Sequence, residues 1–171
     1  MRILLSVFAI ALLGSTAPLL ADEVDVDHGG LQVTLPEKPM QDTQELDGDG
    51  QGKPALQHRL IINKPNGSII VWYQDAPNVK DPQPALKRAR DSVVRLAGGE
   101  VSDEKPLDLQ GHPGVYFVAE IPGKGEFRVA YYHSGSRFYQ VMAVGTPEFT
   151  HSAVINKMFE SVKFAEKAPK E

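Results

Sequence analysis

The chain contains no cysteine among its 171 residues. That excludes disulfides, thiolate-bound zinc and a cysteine nucleophile, and it leaves no thiol for a bacterial lipid anchor. Positive charge is not in excess, since 18 Lys and Arg stand against 22 Asp and Glu. A nucleic-acid partner, whose phosphates call for clustered basic residues, is therefore not expected. The sequence has no Gly-x-Ser-x-Gly nucleophile elbow and no glycine fingerprint running from a strand into a helix. It shows no internal repeat of solenoid length. Beyond the first twenty or so residues, no apolar run is long enough to span a bilayer.

What is present begins at the N-terminus. Arg2 precedes the apolar run "ILLSVFAIALL", and "GSTAPLLADE" follows with small and helix-breaking residues. That order is the pattern of a secretory signal peptide. Residues 1–21 are expected to be removed after Ala21, which leaves an exported protein, periplasmic or extracellular, that starts at Asp22. Apolar residues make up 42% and charged residues 23%, enough to build a core without disulfides. The expected organisation is a flexible acidic lead-in (22–29), one domain (30–164) and a disordered polar tail (165–171).

Within the domain, "GLQVTLP" alternates as a strand and stops at Pro36. "EKPMQDTQELDGDGQGKP" reads as a polar connection. "ALQHRLIIN" and "GSIIVWYQD" form a hairpin around "KPNG", where Asn66 and Gly67 tolerate positive φ. The period then changes. Leu86, Ala89, Val93, Leu96 and Ala97 share one helical face, with Asp81 or Asn78 as the cap and Gly98-Gly99 as the stop. Lys87, Arg88, Arg90 and Arg95 lie off that stripe. They read as a solvated face in preference to a patch for an anionic partner. "EVSDEKPLDLQGHPG" reads as a short strand with loops.

"VYFVAEI", "EFRVAYYH" and "RFYQVMAVG" are three consecutive strands. A turn at Ser134-Gly135 sets His133 opposite Ser136, Tyr131 opposite Phe138 and Phe127 opposite Met142. One face then carries Phe127, Val129, Tyr131, Phe138 and Met142, and the other carries Arg128, Tyr132, Arg137 and Tyr139. Pairing Ile121 with Phe127 keeps carboxylates out of the core and predicts a five-residue loop, Pro122 to Glu126. A second helix follows, with Val154, Ile155, Met158 and Phe159 inward and Thr150 or Ser152 as the cap. Val162 and Phe164 form a last short strand. The fold class is α+β: a central, mostly antiparallel sheet flanked by two helices.

The C-terminal third carries "LQGHPGVYFVAEI", then "FRVAYYHSGSRFYQVMAVG", then "NKMFESVKF", and the N-terminal part carries "GGLQVTLPEKP". A Gly-x-Pro-Gly entry to a strand, an aromatic-Tyr-Gln strand after a tight turn, and a terminal Phe-x-Ser-aliphatic-Lys-Phe resemble the PsbP-like superfamily. The short exported bacterial members are the most similar. The resemblance spans roughly Gly30 to Phe164. It implies an α/β/α-like sandwich and an accessory or binding role, as in the PsbP subunit of photosystem II and a nuclear Ran-release factor. It brings no catalytic residue and no cofactor to this chain.

Candidate chemistry is sparse. The tip "HSGS" is explained better by chain reversal than by a serine nucleophile. His112 and His133 are expected at one end of the sheet. With Asp108 they could start a metal or hydrolytic site, though two surface histidines are the simpler reading. "DGDGQGKPALQH" begins like a calcium loop at Asp47, Asp49, Gln51 and Gly52, but its twelfth place is His58 instead of Glu. "DEVDVDH" could hold a divalent metal weakly, and a solubilising leader explains it as well. Arg128, Tyr132, Arg137 and Tyr139 form either a partner-binding surface or the underside of a second layer. The function expected is an exported, non-catalytic accessory or binding module of the cell envelope, with an unknown protein or a small apolar ligand as its partner. The alternatives are a small hydrolase or metal enzyme using His112 and His133, and a carrier of a lipid or other apolar ligand.

Overall fold

Strict alternation over Leu31–Leu35 buries Leu31, Val33 and Leu35 and turns Gln32 and Thr34 outward. The same period organises most of the chain. A computed structural model describes residues 22–46, 55–76 and 79–165. The expected signal peptide, the calcium-like run Asp47–Gly52, the alternative cap Asn78 and residues 166–171 of the tail lie outside them.

The described elements, in order, are β1 (Val24–His28), β2 (Leu31–Leu35), β3 (Met40–Leu46), β4 (Ala55–Lys64), β5 (Gly67–Asp75) and α1 (Pro82–Ala97). Then come β6 (Glu100–Leu109), β7 (His112–Ile121), β8 (Gly125–Ser134), β9 (Arg137–Gly145), α2 (Pro147–Thr150), α3 (Ala153–Glu160) and β10 (Lys163–Phe164). Seven strands form one sheet in the order β3-β4-β5-β9-β8-β7-β6, with every neighbouring pair antiparallel. A smaller sheet has the order β1-β2-β10.

The architecture is α+β and mostly antiparallel, and it is richer than the sequence pattern suggests. Helix α1 packs on β7 and β8 on one face of the large sheet. The opposite face meets the small sheet and α3, through Leu31, Val33, Leu35, Ile155, Met158 and Phe164. Two segments expected to be irregular are strands, and a third holds a longer strand than expected. The lead-in holds β1, because Val24 and Val26 pair with Leu35 and Val33 of β2. The polar connection holds β3, an edge strand whose exposed side chains left no alternation to read. The supposed short strand before His112 is the ten-residue β6, joined to β7 by a turn at Gln110 and Gly111, both at positive φ.

Helix α1 starts where Asp81 accepts a hydrogen bond from the Gln83 N–H (3.1 Å) and ends at Gly98 in the left-handed region. Leu86 is its buried anchor, but Leu96 is 82% exposed and does not belong to the inward stripe. In α3 the inward residues are Ile155 and Met158, while Val154 is exposed. The turn between β4 and β5 is Pro65-Asn66, and neither Asn66 nor Gly67 takes positive φ.

Two registers differ from the expected ones by two residues. Phe138 lies opposite His133, Gln140 opposite Tyr131 and Val144 opposite Phe127. The turn is Gly135-Ser136, with Gly135 at φ 61°; this is the II′ arrangement that wants glycine first. Between β7 and β8, Ile121 pairs with Gly125, so the loop has three residues, Pro122 to Lys124. A shift of two preserves the faces. Val115, Phe117, Ala119, Phe127, Val129 and Tyr131 therefore share the α1 side as expected. The premise that no carboxylate is buried fails, however. Glu126 is only 7% exposed, because Thr150 Oγ1 and His151 Nε2 meet its carboxylate.

Candidate functional site

The pairing places one transverse row of residues across the large sheet. Thr43 faces His58, His58 faces Tyr73, Tyr73 faces Tyr139 and Tyr139 faces Tyr132. All five point toward the small sheet. The His58 ring stacks on Tyr73 at 4.7 Å, and His28 of β1 meets the same ring edge-on at 4.8 Å. The His28 Nε2–H donates to the His58 carbonyl at 2.9 Å. Burial is the main cause that lowers the His28 pKa below its ordinary value; the bond to His58 acts against it.

Above this row lies the turn between β1 and β2. Gly29 sits at φ 67°, and a Cβ there would stand 2.6 Å from the Tyr73 ring. Only glycine fits both demands. Its carbonyl accepts from the Tyr139 hydroxyl (2.7 Å) and from an Arg137 guanidinium N–H (2.8 Å). Arg137 also lies over Tyr73 at 4.9 Å and donates to Asp75 at 3.0 Å. The Asp75 bond is the main cause that raises the Arg137 pKa. One side of this clamp opens as a cleft of about 530 Å³ bounded by Asp27, His28, Asp42, His58 and Arg59. The other side opens as a cleft of about 740 Å³ bounded by Gln110, His112, Ser134, Ser136, Tyr139 and Phe164.

His112 and His133 are at the expected end but on opposite faces. The His112 ring packs edge-on against Phe164, 4.4 Å away, under the small sheet. His133 follows Tyr131 onto the α1 side, where its Nε2 is buried without a partner among the described residues. Burial first, and His112 second, lower its pKa. The two rings therefore cannot share one metal ion. Asp108, the possible third ligand, accepts from the Gly111 N–H at 2.8 Å and closes its own turn. Ser134 Oγ lies 3.4 Å from His112 Nε2, and no carboxylate among the described residues bonds to that histidine. A nucleophile activated by an oriented base needs closer contact and a third group. No group of three or more potential ligands for a metal occurs among the described residues. In "DEVDVDH", Asp25 accepts from the Thr34 hydroxyl (2.6 Å) and Asp27 from the Gly30 N–H (2.9 Å), so both carboxylates have structural partners.

The face that carries Arg128, Tyr132, Arg137 and Tyr139 is a covered layer. Tyr132 and Tyr139 are buried against Phe164, and burial pushes the Tyr132 hydroxyl up to about 12. Arg128 is 8% exposed. Its guanidinium donates to Tyr116 (2.9 Å), the Thr150 carbonyl (2.7 Å) and Asn156 (2.7 Å), and it lies over Phe159. Arg137 alone of the four keeps substantial exposure, 39% of its side chain. The alternation in the sequence separated this face correctly. It could not reveal the cover, because β1, β2 and β10 reach it from the two ends of the chain.

No protein-family model matches the sequence, and no curated protein matches it significantly. Among solved structures, cyanobacterial PsbP from Synechocystis sp. PCC 6803 superimposes with a TM-score of 0.57 at 12% identity. The match covers 90% of this chain and 99% of that one. The fold is PsbP-like. At that identity the PsbP-like fold is what is shared, and residues of the site do not transfer. A protein of unknown function from Pseudomonas aeruginosa, described as a putative regulator, is similar at a TM-score of 0.42 and 13% identity. That match covers 77% of this chain and 98% of the other, and at that score it carries no argument.

Proposed function

We propose that this protein is an exported accessory module of the cell envelope that works by binding, without catalysing a reaction. We place its contact with a partner at the histidine- and arginine-bearing end of the large sheet. One observation carries the reading: His28, His58, Arg59, His112 and Arg137 line two adjoining open clefts at one end, while packed side chains fill both faces of the sheet beneath α1 and the small sheet. Polar groups around the half-buried Tyr73 ring suit recognition of a polar surface. The PsbP-like fold, whose members act mainly as accessory proteins, agrees with this. Export rests on the Arg2-led apolar run and its small-residue exit.

Neither alternative gains a supporting observation. A hydrolase needs His112 and His133 on one face, and a lipid carrier needs an apolar chamber between the layers. The test is site-specific photocrosslinking in the producing cell. A photoreactive residue at Ser136, exposed at the hairpin tip, should trap a defined envelope partner. The same residue at Leu96, exposed on α1, should not. Crosslinks that are equal at both positions, or a mature protein that stays in the cytoplasmic fraction, would remove the proposal.

A further inference from the structure

The two edges of the large sheet are built differently. Edge strand β6 is guarded by Pro106, which has no N–H to offer, by an irregularity between Val101 and Asp103, and by Glu100, Asp103 and Glu104. These are the usual devices against pairing with another chain. Edge strand β3 has none of them except two carboxylates. It pairs with β4 over all seven residues without a bulge, contains no proline, and exposes six of its seven side chains. Among the described residues no strand pairs with its outer edge.

The sequence of β3, "MQDTQEL", is also complementary to itself. Two copies laid antiparallel about Thr43 would set Met40 against Leu46, Gln41 against Glu45 and Asp42 against Gln44, with Thr43 against Thr43. No carboxylate then faces another. Each one meets a glutamine amide that can donate to it, and each end of the ladder closes on an apolar pair. Centring the pair on Asp42 or on Glu45 instead would set a carboxylate against itself, which is unfavourable. Centring it on Gln44 would set each Asp42 against Leu46 and each Glu45 against Thr43, so no carboxylate of the strand would meet a glutamine amide and Met40 would lose its apolar partner; the register centred on Thr43 is favoured over these.

The open face next to this edge supports the same occupant. Met40, 58% exposed, starts a cross-strand row that continues through Ile61, Ile70 and Met142, all partly exposed on the side where α1 packs mainly on β7 and β8. Paired residues of an antiparallel ladder share a face. Leu46 of a second copy would therefore lie against Met40 and extend this apolar row to Leu46 and Ala55 of the second copy, and by symmetry the same happens at the other end of the ladder. We propose that the protein forms a symmetric dimer through antiparallel pairing of β3 with β3 of a second copy, in the register centred on Thr43.

Sedimentation equilibrium on the protein as the producing cell makes it tests this with two double variants of opposite expected sign. Gln41→Glu with Gln44→Glu creates four like-charge oppositions in the dimer and should weaken association about tenfold or more. Arg59, which donates to Gln44, keeps its acceptor in this variant, so the β3–β4 pairing stays intact. Gln41→Lys with Gln44→Lys turns the same four positions into opposite-charge pairs and should tighten association. Both shifts should shrink at high salt. A wild-type protein that is monomeric across the micromolar range would overturn the proposal. So would a dimer that neither variant moves, since its interface would lie elsewhere. Pairing of the edge with an extended segment of another protein in place of self-association would also overturn it.

Discussion

Gly29 joins two demands at one residue, a left-handed backbone and a backbone surface lying directly on the Tyr73 ring. Gly29→Ala should therefore cost more than the roughly 1 kcal/mol of an ordinary glycine replacement, about 2–4 kcal/mol by urea denaturation. Tyr139→Phe removes one of the two donors to the Gly29 carbonyl and leaves Arg137 in place, so about 1 kcal/mol is expected. The histidines add a pH dependence. His28 and His133 both have pKa values lowered by burial, so the unfolded chain takes up these protons first as pH falls. Their neutral-state stability is fully present above the ordinary histidine value near 6.5. It is lost as pH drops from there through the depressed folded values. Stability measured from pH 7.5 downward should fall over that window, and His28→Phe should flatten part of the slope. A slope unchanged by His28→Phe would show that the buried imidazole is not its source. Apart from the contribution of His133 on the α1 side, these residue-level effects share one cause, which is the tight contact between the turn at Gly29 and the ring row below it.

At the scale of the element, α1 shows how a pattern can be right while one member is wrong. Ala85, Ala89, Val93 and Ala97 pack toward the sheet around Leu86, but Leu96 turns into solvent. Leu86→Ala should cost about 3 kcal/mol through the cavity it leaves. Leu96→Lys should stay within about 0.5 kcal/mol, as surface changes do. Thermal and denaturant unfolding of the two variants separates them. The strands teach a second lesson. Alternation assigns faces, so the inward set on β7 and β8 was legible. It does not assign register to better than two residues, because a shift of two leaves every face unchanged. Turn geometry decides that remainder: Gly135 takes the first place of its turn, and the three-residue loop at Pro122–Lys124 brings Glu126 inward. Strand β3 was illegible for the opposite reason. An edge strand with nearly every side chain exposed presents no alternation at all.

At the scale of the whole molecule, hydrogen exchange should follow position in the large sheet. Strands β9 and β8, paired on both sides and covered on both faces, should exchange slowest. β6 should exchange early, with its outer edge unpaired and its face exposed. Strand β3 separates two pictures. It should exchange as fast as β6 in dilute protein and gain protection with concentration once dimers form. Equal exchange of β3 at all concentrations would fit an edge that stays free. By itself the sequence determined the periods, hence the alternating strands β2, β4, β5, β7, β8 and β9, the helices α1 and α3, and which side chains turn inward on the last long hairpins. It also determined the excluded chemistries, since a missing cysteine or a missing glycine fingerprint needs no coordinates to be seen. Tertiary structure alone decided what covers the second face of the sheet. Three strands from opposite ends of the chain meet there, and contacts between residues far apart in sequence leave no local period. Tertiary structure alone also put His112 and His133 on opposite sides and found Glu126 and Arg128 their buried partners, because a charge can enter a core only where distant groups arrive to satisfy it.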